Sequence, residues 1–216
     1  MNTPAKPSQE RKFLERRTTP RTTAIVNGHT FIALQNVYDT STDTELMADV
    51  VKIAPDQTFV EIGCGTGAVT LLVAEHAKSG LGVDINPAAV KNAELNRAEM
   101  GIENVEFLQS DVFKNVEGKF DIIICNPPYN AYKPADEVEM MFWDHDNDMK
   151  KRFFQEVGDY LLSGGKVYFG WADFEDLDQQ LPERLAEDAG LTFVRRYERK
   201  RADETRIFYV YEFTLS

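Results

Sequence analysis

The feature that most constrains the fold is an apolar run that ends at two consecutive prolines. Residues 122–124 are all isoleucine, and such a β-branched run is typical of a strand buried on both faces of a sheet. The sequence Asn-Pro-Pro-Tyr follows at 126–129. Neither proline has an N–H group to donate to a neighbouring strand, so the strand must end there in a stiff turn. We expect this turn at the carboxyl edge of an open α/β sheet, where such folds bind ligands.

Strands and helices alternate along most of the chain, which predicts the rest of this sheet. Further strands are expected at 58–62, 81–84, 105–108 and 167–170, with helices at 66–78, 87–100, 150–162 and 177–189. The last two predicted strands, 191–197 and 207–213, are joined by a segment too short for a helical crossover, so they should pair antiparallel. The pattern predicts an α/β sandwich, with a mostly parallel seven-stranded sheet, one antiparallel strand and helices on both faces.

Shorter segments precede this alternation. Residues 1–20 are polar and contain three prolines, which is typical of a flexible arm, here a basic one. Residues 21–35 form a predicted β-hairpin around Asn27-Gly28, a pair suited to the positive φ angles of a tight turn. Thr42 and Glu45 have the spacing of a capping box and predict the start of a helix. We expect residues 36–216 to form a single domain.

Charge is distributed unevenly along the chain. The net charge is −12, yet residues 1–22 hold six basic and two acidic residues and so carry +4, which leaves −16 for the remainder. An acidic body disfavours an extended nucleic-acid surface, although the arm and the basic residues of 195–201 could form a local patch. No apolar run approaches the length of a membrane span, and no secretory signal is visible. The two cysteines, Cys64 and Cys125, are typical of a reducing compartment, so we expect a cytoplasmic protein without a membrane partner.

A glycine-rich turn follows the first predicted strand of the sheet. Residues 60–67 read Val-Glu-Ile-Gly-Cys-Gly-Thr-Gly, and glycines allow positive φ and close approach of a ligand. The spacing of Gly63, Gly65 and Ala68, with Asp84 about 20 residues on, would permit a nicotinamide dinucleotide. Gly67 extends the pattern to three alternating glycines, and Glu61 places a carboxylate beside the loop. A carboxylate there suits a cationic ligand better than a pyrophosphate.

Acidic residues stand at the ends of three successive predicted strands, and this favours S-adenosylmethionine over the dinucleotide. Glu61 and the glycine-loop carbonyls can hold the amino-acid end of that cofactor. Asp84, with Ile85 beside it, can accept from the two ribose hydroxyls. Asp111 can accept from the adenine amine, to which Val112 can donate a backbone N–H.

The turn at 126–129 offers acceptors for a planar NH2 group. The Asn126 side-chain carbonyl and the Pro127 backbone carbonyl can take its two hydrogens, and Tyr129 can stack on its plane. We therefore predict Asn126, Pro127 and Tyr129 as catalytic, and Asn126 also as a cofactor contact. Pro128 and, from the following segment, Trp143 complete the predicted substrate-binding set.

Together, 60–67, Asp84, Asp111 and 126–129 resemble the class I S-adenosylmethionine-dependent methyltransferases of the Asn-Pro-Pro-Tyr type. These enzymes methylate planar amino groups of nucleobases or the side-chain amide of glutamine in peptide release factors. The segment 36–46, with its Asp-Thr-Glu-Leu core, looks like the segment before the cofactor domain of the release-factor glutamine methyltransferases. The resemblance implies a Rossmann-like methyltransferase domain over 36–216, S-adenosylmethionine as cofactor, and a release factor as protein substrate.

Two departures from that family leave other acceptors open. The glutamine enzymes usually carry a separate N-terminal helical domain, whereas about twenty residues of polar arm precede the hairpin in this sequence. Residues 130–149 also depart from the pattern of those enzymes. A nucleic-acid base methyltransferase, a small-molecule N-methyltransferase and a non-catalytic cofactor-binding module are the alternatives. The segment also holds four potential metal ligands, but a mobile acidic loop is the favoured interpretation and no metal site is predicted. Those four residues are Asp144, His145, Asp146 and Asp148.

Overall fold

A computed structural model describes residues 15–136 and 138–215, and nine strands lie within these ranges. They are β1 (Arg21–Val26), β2 (His29–Leu34), β3 (Thr58–Ile62), β4 (Ser79–Asp84), β5 (Val105–Gln109), β6 (Phe120–Cys125), β7 (Leu161–Ala172), β8 (Leu191–Lys200) and β9 (Ile207–Leu215). The helices of seven or more residues are α1 (Thr42–Val50), α2 (Ala68–Ala74), α3 (Pro87–Met100), α4 (Asp148–Tyr160) and α5 (Leu181–Asp188). No helix in the described ranges is long and apolar enough to cross a bilayer.

Seven of the strands form one sheet in the order β5-β4-β3-β6-β7-β9-β8. The pairs from β5 to β7 are all parallel, and β9 lies antiparallel between β7 and β8. Strand β9 follows β8 after only a short loop, so it must run back beside it. The predicted α/β sandwich, mostly parallel with one antiparallel strand and preceded by a hairpin, is confirmed.

The predicted buried strand, β6, lies in the middle of this sheet between β3 and β7. Ile122, Ile123 and Ile124 are each no more than 1% exposed. Because the strand is covered on both faces, its sequence is continuously apolar rather than alternating. Its carboxyl end delivers the 126–129 turn to the same edge as the glycine loop after β3.

The predicted hairpin is also present, formed by β1 and β2, and it is held against α3 by two buried asparagines. Asn27 and Gly28 have φ angles of 51° and 83°, as a tight turn requires. Asn92 Nδ2 donates to the Ile32 carbonyl at 2.7 Å, and Asn96 Oδ1 accepts from the Ile32 amide at 3.0 Å. Side-chain amides thus supply hydrogen-bond partners for β2.

Several element boundaries differ from the prediction for identifiable reasons. Helix α2 begins at Ala68 rather than at 66, because Gly67 is its N-cap in the left-handed region, with φ 79°. Helix α1 begins at Thr42, one residue earlier than a capping box at Thr42 implies, because its N-cap is Ser41, whose amide donates to Thr44 Oγ1 at 3.2 Å. The capping pair is therefore Ser41 and Thr44, and the predicted pair Thr42 and Glu45 was wrong by one residue.

The predicted basic arm is described only in its last part, since residues 1–14 lie outside the described ranges. Residues 15–18 are helical. Arg16 is 6% exposed and donates to Thr22 Oγ1 at 3.2 Å, while Arg17 pairs with Asp136 at 2.7 Å. The end of the arm is therefore anchored to the rest of the chain, where the sequence predicted flexibility.

Candidate functional site

A cavity of about 610 Å³ lies at the carboxyl ends of β3, β4, β5 and β6. This volume is in the range of small-molecule sites. Its lining includes every predicted site residue except Gly67. The structure therefore brings together Glu61, Gly63, Gly65, Asp84, Ile85, Asp111, Val112, Asn126, Pro127, Pro128, Tyr129 and Trp143.

The glycine loop after β3 is fastened to β4 by its backbone. The amides of Gly63 and Cys64 both donate to the Val83 carbonyl, at 2.8 and 2.9 Å. Gly63 and Gly65 have positive φ angles of 79° and 54°, and a Cβ on either would meet no atom within 4 Å. Gly67 has a different role, because a Cβ there would lie 2.9 Å from the Ala93 Cβ. The first two glycines leave open space beside the cavity, and the third lets α2 pack closely against α3.

Asp84 is organised to accept further hydrogen bonds. Its two carboxylate oxygens accept from the amides of Gly65 and Asn86, each at 2.9 Å. Each oxygen keeps lone-pair capacity for a second donor. Burial raises the pKa of this carboxyl group, and the two backbone donors oppose that shift. A half-buried pair of acceptor oxygens at the cavity wall fits a vicinal diol.

Glu61 is only 2% exposed and accepts a short hydrogen bond from the Thr70 hydroxyl. Burial raises the pKa of Glu61 from 4.5 to about 8, with the Thr70 contacts acting in the opposite direction. The charged form is costly here unless a cation is near. A ligand ammonium in the cavity would supply that cation, so Glu61 fits the amino-acid end of S-adenosylmethionine.

Asp111 and Val112 form the rim after β5. Arg152 on α4 donates to Asp111 at 3.0 Å and also to Asp148 at 2.9 Å. Val112 has φ 50°, a left-handed conformation that is a real outlier for a β-branched residue. The Ser110 hydroxyl donates to the Val112 carbonyl at 2.9 Å and helps to hold it. Such strained positions are concentrated at ligand sites.

Asn126 is oriented by contacts from three parts of the chain. Its Nδ2 donates to Asp43 Oδ2 at 3.0 Å, and its Oδ1 accepts from the Tyr129 hydroxyl at 2.7 Å. On β7, a Cβ at Gly170 would lie 2.3 Å from Asn126 Oδ1. The amide is therefore held in one orientation at the cavity wall.

Tyr129 provides the cavity wall with a hydrogen-bonding hydroxyl group as well as the flat ring that the sequence suggested. It is 8% exposed, and its ring meets Trp171 and Phe174 edge-on, with centroids 6.1 and 5.8 Å away. Burial raises the pKa of its phenol well above the ordinary value, with Asp43 adding to the effect. The hydroxyl therefore stays protonated and able to donate, to Asn126 or to Asp43 at 3.0 Å.

Residues that follow the turn, among them Phe142, Trp143 and Asp144, also line the cavity. Trp143 is 1% exposed and packs against Tyr132, with centroids 5.7 Å apart. Phe142 packs edge-on against Tyr38 at 5.4 Å. Asp144 is buried and pairs with Lys150 Nζ at 2.9 Å. The predicted mobile acidic loop is thus corrected at Asp144, because a buried ion pair fixes it to α4.

Several residues at the site were missed by the sequence interpretation. Asp43, Tyr38, Arg152 and Gly170 received no role there. Asp43 lies in the Asp-Thr-Glu-Leu segment that carried the resemblance, but an acidic residue in the first turn of a helix is ordinarily explained by the helix dipole, so it was given no role of its own. In the part of the chain that the structure describes, no cluster of three or more His, Cys, Asp or Glu side chains could hold a metal ion.

Comparison with known proteins identifies the family. The methyltransferase small domain family matches residues 29–197. A Methanocaldococcus jannaschii protein, provisionally named a protein N5-glutamine methyltransferase, is 37% identical over 138 residues, which are 61% of this chain and 70% of that protein. A release factor glutamine methyltransferase of Fusobacterium nucleatum is 32% identical over 127 residues, 55% of this chain and 35% of that enzyme.

A solved structure shares the fold at lower identity. The T. thermophilus 16S rRNA N2 G1207 methyltransferase, solved with AdoMet and guanosine, superposes with a TM-score of 0.66. It is 20% identical and is matched over 91% of this chain and 50% of its own length. The chain spans only about a third of the length of the Fusobacterium enzyme. The family match extends over most of the chain, and the chain therefore belongs to the methyltransferase small domain family.

Proposed function

We propose that this enzyme methylates the side-chain amide nitrogen of a glutamine in a protein, of the release-factor type. The observation that carries the proposal is the oriented Asn126 amide at the wall of the cavity that also contains Asp84 and Glu61. The names of the Methanocaldococcus and Fusobacterium relatives support a glutamine acceptor.

We assign the cofactor to the part of the cavity formed by the ends of β3, β4 and β5. Glu61 and the glycine loop would hold its amino-acid end, Asp84 and Ile85 its ribose, and Asp111 and Val112 its adenine. When bound, S-adenosylmethionine supplies an electrophilic methyl group. Arg152 joins Asp111 at this rim, so it would also border the adenine.

The acceptor nitrogen needs help because the lone pair of an amide is delocalised. Two hydrogen bonds from the NH2 group, to Asn126 Oδ1 and to the Pro127 carbonyl, would localise the lone pair and aim it. Positioning of this kind can contribute roughly 7–11 kcal/mol to lowering a barrier. No strong general base is required, since the methylated nitrogen can release its proton afterwards.

The charge of the cavity favours a protein acceptor over a nucleic acid. Its lining contains nine Asp and Glu side chains but only three Arg, which are Arg152, Arg201 and Arg206. Phosphate groups are repelled by such a lining, and the net charge of −12 adds to this at longer range.

Two buried cysteines without a disulfide accord with a cytoplasmic location.

Radiolabelled S-adenosylmethionine and a fractionated cell extract test the proposal. We expect label that is released by protease and that mass spectrometry places on a glutamine side chain. Label that is sensitive to nuclease, or present only in small molecules, would replace the proposed acceptor with a nucleobase or a metabolite.

A further inference from the structure

Asp43, in the first turn of α1, receives converging hydrogen bonds beneath the Asn-Pro-Pro-Tyr turn. Its Oδ2 lies 3.0 Å from Asn126 Nδ2, 3.0 Å from the Tyr129 hydroxyl and 3.3 Å from the Tyr38 hydroxyl. Its Oδ1 accepts from the Thr44 amide at 3.0 Å. The side chain is 4% exposed, so these partners and not water surround it.

The Asp43 carboxylate can only accept hydrogen bonds, and this fixes the orientation of Asn126. An amide side chain has an NH2 end and a carbonyl end of nearly the same shape. Only the NH2 end can satisfy a carboxylate, and the other orientation would set two acceptors against each other about 3 Å apart. The carbonyl end, Oδ1, must therefore face away from Asp43.

The donors also exceed what one oxygen readily accepts. Oδ2 has about two lone-pair sites but three neighbouring donors. Tyr129 has a second acceptor, since its hydroxyl lies 2.7 Å from Asn126 Oδ1. Its proton can therefore point to Asn126 in one state and to Asp43 in another, without movement of a heavy atom.

We propose that Asp43 is a positioning residue for methyl transfer: it locks Asn126 with Oδ1 toward the acceptor amide, and it takes the Tyr129 hydrogen bond when that amide binds. The proposal rests on the proposed function in one respect, that the acceptor donates an N–H to Asn126. The Asp43 oxygens accept hydrogen bonds from neighbouring side chains and from the Thr44 amide, so Asp43 would act through Asn126 rather than on the reacting atoms. Its effect should appear in turnover and not in cofactor binding.

The first test is Asp43→Asn, assayed with a glutamine peptide of release-factor sequence. An asparagine at 43 can accept or donate, so Asn126 is no longer confined to one orientation. We expect kcat to fall about 10- to 100-fold, the scale of losing one buried hydrogen-bond partner. The KM for the peptide and the Kd for S-adenosylmethionine should change less than about threefold.

The matched control is Asp49→Asn on the same helix. Asp49 is exposed, accepts from Asn27 and Arg199, and does not line the cavity. This variant should keep the kcat of the wild type. A folded Asp43→Asn variant with at least half of the wild-type kcat would overturn the proposal.

An exchange of the two side chains tests orientation without relying on a loss of activity. Asn126→Asp alone places two carboxylates about 3 Å apart and should be strongly impaired. The double variant Asp43→Asn/Asn126→Asp restores one donor facing one acceptor and again presents an oxygen to the substrate. We expect its kcat to exceed that of the Asn126→Asp variant at least about tenfold. A double variant no faster than Asn126→Asp would contradict the assigned role.

Failure of the proposed function gives a different result. If the wild type leaves the glutamine peptide unlabelled but transfers methyl to another acceptor in the extract, the acceptor assignment fails. Asp43→Asn, Asn126→Asp and the double variant are then measured on that acceptor, with Asp49→Asn as the control. A decrease in kcat in Asp43→Asn with recovery in the exchanged pair would still support the positioning role, and wild-type turnover in Asp43→Asn would reject it.

Discussion

At the scale of single residues, the site combines one buried acid that needs a cation with one amide that needs a fixed orientation. Glu61 lies at the end of β3, just before the glycine loop, and its burial opposes its charge. Asn126 lies at the end of β6, where donors and acceptors from Asp43 and Tyr129 hold both ends of its amide. Substitutions at these two positions should therefore affect different steps.

Replacement of Asn126 should separate binding from turnover. Asn126→Ala removes the side-chain acceptor for the substrate NH2 but leaves Glu61 and Asp84 in place. We expect the cofactor Kd, measured by calorimetry, to stay within a few-fold, while turnover falls at least about 100-fold because the acceptor is no longer aimed. Wild-type turnover in this variant would remove Asn126 from the mechanism.

Glu61 should make both stability and cofactor affinity depend on pH. Its pKa is about 8 in the folded protein and 4.5 ordinarily, so between these values the folded state holds more protons than the unfolded state. Stability should therefore fall as pH rises from about 4.5 to 8, on the order of 1.4 kcal/mol for each pKa unit of difference. Urea titrations across this range should show a weaker decline in Glu61→Gln.

Cofactor affinity should change with pH in the opposite direction to stability, again because of Glu61. A bound ammonium favours charged Glu61, so binding near pH 7 should release a proton, and affinity should increase toward pH 8. Calorimetry in buffers of different ionisation enthalpy measures that proton. The absence of proton release in the wild type, or equal release in Glu61→Gln, would contradict this pairing.

At the scale of elements, β7 and α4 hold the turn after β6 and the residues that follow it in place. Strand β7 has a glycine beside Asn126, and α4 supplies Lys150 to the buried Asp144. The strands could be predicted because their apolar runs and glycine turns are local signals. The contacts that complete the site could not be predicted in this way, because Asp43 and Asn126 are 83 residues apart and their pairing follows no periodic sequence pattern.

Gly170→Ala tests the contribution of β7. An added Cβ would lie 2.3 Å from Asn126 Oδ1, so Asn126 must shift. We expect turnover to fall about 10- to 100-fold. In Gly158→Ala, the control on α4, a Cβ meets nothing within 4 Å, and helix propensity should add about 0.5–1 kcal/mol of stability. Equal turnover in both variants would show that β7 does not position Asn126.

Lys150→Ala tests how the cavity-lining segment that contains Asp144 is held against α4. The substitution leaves the Asp144 carboxylate buried with only the amides of Met149 and Lys150 as partners. Loss of one partner from a buried pair should cost about 3–5 kcal/mol in the free energy of unfolding, measured by denaturant titration. The exposed pair of Arg184 with Asp178 is the comparison, and Arg184→Ala should lower the free energy of unfolding far less, because solvent screens an exposed ion pair.

At the scale of the whole molecule, the parallel sheet gathers residues from distant parts of the sequence at one edge. The sequence predicted this because acids and glycines followed successive strands, and parallel strands end on the same side. It could not predict that the end of the arm is anchored, since Arg16 is buried through contact with Thr22 rather than through its own hydrophobicity. It also left the acceptor open, because the acidity of the cavity emerges only when the loops are brought together.

The central claim is that this cavity directs a methyl group to a glutamine amide nitrogen. The most direct measurement is tandem mass spectrometry of a glutamine peptide of release-factor sequence, incubated with S-adenosylmethionine and either the wild type or Asn126→Ala. We predict one added methyl group on the glutamine side chain with the wild type and none above background with the variant. Methylation at another residue, or an equal yield from both proteins, would contradict the account.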